Sequence, residues 1–190
     1  WLGVAALAIA GIFAIILVVA RTPQLKQIPV LQGLFDVALV IHVDLSVLMW
    51  FLCILGMGVA GIMQRHELRF PYWSKAAFGT AVAATALMTL SPLYHEWQVI
   101  KSNYIPVLVN WVFFLSLGLL ASSMLLLLLP VLLVHTSRTA RRSLSLVELG
   151  YVHASGCVVL ALIAFFLSAR LIPIGLPHEE HFETLFWAGP

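Results

Sequence analysis

Leu34-Phe35-Asp36-Val37-Ala38-Leu39-Val40-Ile41-His42-Val43-Asp44-Leu45-Ser46-Val47-Leu48-Met49-Trp50-Phe51-Leu52 is an apolar run broken by three ionisable side chains. Hydrocarbon offers backbone N–H and C=O groups no partner, so such a run reads as a membrane-crossing α-helix. The same character holds from about Leu34 to Met63, up to the polar stretch Gln64-Arg65-His66-Glu67. Four more apolar runs flank it. They cover about Leu2 to Ala20, Ser74 to Leu90, Pro106 to His135 and Val147 to Leu171, and a further segment starts near His178. The predicted fold class is an all-α, polytopic transmembrane helix bundle with about five spans plus the start of a sixth. Residues 1–190 are read as one transmembrane helical domain.

Composition agrees. Of 190 residues, 62% are hydrophobic and 9% charged, against about 45–50% and about 25% in soluble domains. A water-soluble globule of this size cannot hide so much apolar surface. A net charge of +2 and two cysteines leave no basis for a nucleic-acid binder or a disulfide scaffold. The lipid bilayer is the first partner. The chain starts at Trp1 and stops after Phe186-Trp187-Ala188-Gly189-Pro190, and is read as the N-terminal portion of a longer subunit. Lysine and arginine in the short loops set orientation. Arg65, Arg69, Lys75, Arg138, Arg141 and Arg142 share a side with the N-terminus, against Arg21, Lys26, Lys101 and Arg170 opposite. That places the N-terminus in the cytoplasm.

Polar side chains inside the spans carry the functional argument, since each is costly there. His42 is about eight residues into the second span, roughly 12 Å of rise. Its neutral imidazole suits an axial position on haem iron. A histidine hydrogen-bonded across a helix interface is the alternative. Asp44 points about 200° away from His42 on an ideal helix, so it is no second ligand beside it. A structural acceptor is the favoured reading for Asp44, with a proton-relay carboxylate or an ion-pair partner as the others. Asp36 is placed at the helix start, where the dipole favours a carboxylate. His135 is assigned to the membrane interface. His153 lies about six residues into the fifth span, entering from the face opposite His42, and the depths make a poor axial pair. Cys53 and Cys157 read as small hydrophobes. Gly56, Gly58, Gly61, Gly118 and Gly156 read as close-packing points. Trp1, Trp73, Trp97, Trp111 and Trp187 fit an aromatic belt, and Trp50 does not. No nucleotide loop, catalytic triad or zinc motif is present.

The stretch Val40-Ile41-His42-Val43-Asp44-Leu45-Ser46-Val47-Leu48-Met49-Trp50-Phe51-Leu52 resembles the second helix of subunit I in the haem-copper oxidase superfamily. Ser102-Asn103-Tyr104-Ile105-Pro106-Val107-Leu108 is similar to a loop ahead of helix four in cytochrome c oxidase-like members. His181-Phe182-Glu183-Thr184-Leu185-Phe186-Trp187-Ala188-Gly189-Pro190 looks like the entry to helix six. The resemblance covers most of the chain, in order. It implies that His42 is one axial ligand, and so a metal ligand, of a low-spin haem. It also implies a second, high-spin haem and a copper ion, held by later helices. Their activity would be proton-coupled oxygen reduction in a proton-translocating terminal oxidase of the respiratory chain. A cytochrome c or quinol electron donor and further subunits of a respiratory complex would be its partners. The implied location is a bacterial or mitochondrial inner membrane. Asp44 and Glu183 are the proton-relay candidates. Ile41 and Val43 flank the histidine where better-known members carry a glycine-rich cluster, which points to a divergent branch. A nitric oxide reductase-like member, or a non-catalytic subunit of a respiratory or photosynthetic complex, is the alternative.

Overall fold

The computed structural model describes residues 1–25, 28–66, 71–94, 98–100, 106–135 and 144–171. Five of its helical stretches are long and apolar enough to cross a membrane. They comprise α1 (Leu2–Ala20) and a run of α2 (Pro29–Asp44), a π-helical turn (Leu45–Met49) and α3 (Trp50–Arg65). Then come α4 (Pro71–Leu90), α5 (Trp111–His135) and α6 (Leu146–Leu171). A 3-10 turn, Ser91–Leu93, follows α4. Apart from a two-stranded hairpin, the protein is an all-α helical bundle. The segment expected from His178 lies outside the described residues.

Three span boundaries differ from expectation. The second span starts at Pro29, because proline suits the first turn of a helix, where its missing N–H costs nothing. The third starts at Pro71 for a similar reason. The fourth starts at Trp111, not Pro106. Val107 and Leu108 (β2) instead pair antiparallel with Ile100 and Val99 (β1). Asn110 then caps α5. Its Oδ1 accepts the Phe113 N–H at 2.8 Å, and its Nδ2 donates to the Ser91 carbonyl at 3.3 Å.

Contacts divide the chain into two units, 1–53 with 81–119, and 54–80 with 120–190. In the first unit, Ala6 and Ala10 are the buried residues of α1 that let its backbone come close to its neighbour. A Cβ on Gly3 would lie 3.0 Å from the Cys53 Cβ, a close approach absent from the expected set. The Arg21 guanidinium sits 4.8 Å above the Phe35 ring. Val37, Val40, Ile41, Leu45, Met49, Met88 and Phe113 are fully buried. The β1–β2 hairpin lies against α2.

Asn110 is 3% exposed, so its two hydrogen bonds stand largely out of competition with solvent. Asn110→Ala removes the cap and leaves the Ser91 carbonyl without this donor. We expect a loss on the order of 1–2 kcal/mol, read as a lower thermal midpoint in detergent. Asn110→Ser keeps a cap acceptor and should lose less.

In the second unit, Val59, Leu128, Val131, Val152 and Val159 form the core. Ser123 Oγ donates to the Ala77 carbonyl at 2.8 Å and ties α5 to α4. Gly56 and Gly156 meet Leu127 and Leu132, and Gly58 lies directly under the Tyr151 ring. No atom of the described residues lies within 4 Å of a Cβ built on Gly61 or Gly118, so close packing against the Cβ side is not seen at these two positions among the described residues. Exposed apolar residues on α1 (Ile12, Ile15, Val18) and α6 (Ile163, Phe166, Leu167) present the chemistry that lipid contact requires. Trp73 and Trp111 stand at helix starts, as an aromatic belt predicts. Trp97 and Trp187 lie outside the described residues.

Candidate cofactor-binding site

His42 is carried by α2, thirteen residues after Pro29, which is roughly 20 Å of rise. The helix begins five residues before Leu34, so His42 is further from the helix start than the sequence suggested. Its ring is half-buried, and Nδ1 lies 2.9 Å from the Ala10 carbonyl of α1. A carbonyl only accepts, so Nδ1 carries the proton. In the neutral ring Nε2 then holds the free lone pair. Among the described residues Nε2 has no hydrogen-bond partner. Metal-ligating histidines commonly show this arrangement: one nitrogen anchored to a backbone carbonyl, the other left for the ion. The residue present therefore fits an axial haem position. The small side chain of Ala10 allows α1 to approach closely enough for the hydrogen bond.

Asp44 lies two residues on and is fully buried. Val37, Val40, Ile41 and Leu45 are buried on the same helix run. Neither carboxyl oxygen has a hydrogen-bond partner among the described residues. For the favoured expectation, a structural acceptor, the described residues offer no donor. The α-helix ends at Asp44, and a π-helical turn begins at Leu45. Such turns are rare and recur at functional sites. Asp36 lies two turns inside α2, too deep for the dipole effect, which fades within the first turn. Glu183 and the side chain of His135 lie outside the described residues. His153 Nδ1 donates back to the Leu149 carbonyl at 2.7 Å on its own helix. No group of three His, Cys, Asp or Glu side chains that could hold a metal ion is found among the described residues.

A second polar cluster went unnoticed in the sequence. Ser145 caps α6, and Glu148 accepts the Ser145 N–H and hydroxyl at 2.8 Å each. The Glu148 N–H donates back to Ser145 Oγ at 3.3 Å. This is a capping box, and the Ser-x-x-Glu spacing at 145–148 was its available signal. The same carboxylate lies 3.4 Å from Arg65 and 3.2 Å from His66 at the end of α3. That pairing needed the tertiary structure. Glu148→Ala should lower the thermal midpoint of the protein. Glu148→Gln retains an acceptor for Ser145 and should lower it less, a ranking that differential scanning fluorimetry can check.

An integral membrane protein with a half-buried histidine anchored across two membrane-length helices is the class these features define. The chain is 31% identical to an uncharacterized protein of Rickettsia prowazekii (strain Madrid E), over 217 residues covering 99% of this chain and 41% of that protein. It is 28% identical to an uncharacterized protein of Aquifex aeolicus (strain VF5), over 188 residues covering 96% of this chain and 45% of the relative. The chain thus spans less than half the length of these relatives. No protein-family model matches it. No solved structure matches it.

Proposed function

We propose that this chain is part of the membrane catalytic subunit of a haem-copper oxidase-type enzyme, with His42 supplying one axial ligand to a low-spin haem. The observation that carries the reading is the Nδ1–H bond from His42 to the Ala10 carbonyl, which leaves Nε2 available to iron. The likeness of the His42 segment to the second helix of that superfamily supports it. A bound haem would supply one-electron transfer. The chain's own contribution is orientation. The Ala10 carbonyl holds the imidazole ring and its tautomer, and the apolar flanks Ile41 and Val43 limit water beside it. The second haem, the copper ion, oxygen reduction, proton translocation, the electron donor and the partner subunits belong to the same proposal. So does a bacterial inner-membrane location with the N-terminus in the cytoplasm.

The natural full-length protein, purified from membranes, tests the reading. A dithionite-reduced minus air-oxidised spectrum should show a low-spin haem α-band, and elemental analysis should find iron and copper. Pure protein without haem absorbance overturns it, and favours a non-catalytic subunit.

A further inference from the structure

Two unusual features meet at one point in the second span. The Asp44 carboxyl is fully buried with both oxygens unpartnered among the described residues. The backbone hydrogen-bond ladder changes register beside it. The Leu45 N–H is shared between the Ile41 and His42 carbonyls, and the Trp50 N–H reaches back only to Val47. Between these, the π-helical turn Leu45–Met49 is wider than an α-turn, and such turns recur at functional sites. An orphan carboxyl in an apolar interior costs several kcal/mol, and the carbonyls of the turn each keep a second lone pair that can accept. Both features call for the same small ligand: one that donates two hydrogen bonds and accepts others.

We propose that Asp44 and the Leu45–Met49 turn form a binding site for a small cluster of ordered water inside the second span. Water supplies donors to both carboxyl oxygens and to backbone carbonyls of the turn, and buried water typically makes about three such bonds. A metal ion fits less well, since it needs several more ligands and no cluster of three ligating side chains includes Asp44 among the described residues. The site lies about 22 Å of helix rise from Pro29, within a stretch long and apolar enough to cross a membrane. It is therefore hydration within the membrane, and it gives exchangeable protons a station there. The inference stands apart from the haem reading, and its test has no haem readout.

Hydrogen–deuterium exchange of the full-length protein in nanodiscs reads it. The amides of residues 45–50 should exchange faster than those in the middle of α4. Asp44→Leu should slow them about tenfold, while Asp44→Asn, which keeps the hydrogen-bonding capacity, should leave them nearly unchanged. Unchanged exchange in Asp44→Leu overturns the proposal. Exchange that responds to replacing sodium with choline overturns it too, in favour of a cation. Should Asp44→Leu not fold, infrared spectra of the native protein decide. A sharp, weakly hydrogen-bonded water O–H band should shift in ¹⁸O-water and move in Asp44→Asn, and the lack of such a band overturns the proposal.

Discussion

His42→Ala is expected to eliminate the low-spin haem α-band from the reduced-minus-oxidised spectrum of the full-length protein. Alanine has no donor atom for iron and cannot reach the Ala10 carbonyl, so the substitution removes the proposed ligand and an interhelical hydrogen bond together. The two losses are separable. Hydrogen bonds between membrane helices average about 0.6 kcal/mol, so losing this one alone should leave the protein folded. His42→Asn makes the distinction sharper. Its amide N–H, placed where Nδ1 stood, can still donate to the Ala10 carbonyl, while its neutral amide is a poor haem ligand. The expected result is a folded His42→Asn protein without the band. An unchanged band in His42→Ala would remove the haem assignment and leave the histidine as a link between α1 and α2.

Gly58→Val should produce the largest packing defect in the 54–80 and 120–190 unit. A Cβ at position 58 would run into the Tyr151 ring, at its Cε1 and Cζ atoms. A ring cannot yield as the tip of an aliphatic chain does, so the helices must separate or Tyr151 must change rotamer. Overpacking of this kind costs about 1–3 kcal/mol. The Val59, Val152 and Leu128 core lies on the adjoining residues and would share the shift. A lower thermal midpoint is the expected reading. Tyr151→Ala leaves a void when made alone, but combined with Gly58→Val it should restore part of the loss. Such non-additivity marks residues in direct contact, whereas additive losses would show that the ring is not what limits position 58.

The two substitutions also mark the border between what was legible and what was not. Gly58 stood out as a glycine in a span, but so did Gly61 and Gly118, where an added Cβ would have open space among the described residues. Helical spacing alone does not tell which face has a neighbour. The spans were legible because hydrocarbon demands long, self-paired apolar helices whatever their partners. The start of α5 was misplaced because Val107 and Leu108 are as apolar as a helix would require. What separates them from it is pairing with Val99 and Ile100, a contact made through intervening residues.

At the site, the residue types along the second span singled out His42 and Asp44. Their surroundings remained open, since a histidine in a span serves equally as ligand or as helix link. Which ring nitrogen is anchored depends on the Ala10 carbonyl, thirty-two residues earlier in the chain. That Asp44 finds no donor among the described residues depends on everything packed around it. So does the union of Glu148 with Arg65 and His66, on residues eighty-two and more apart. By itself, the sequence determined that this is a helical membrane protein with a few costly polar groups, because solvation acts on each segment separately. Only the tertiary structure decided which of those groups are satisfied, because a hydrogen bond needs two partners within about 3 Å and chain distance does not reveal them.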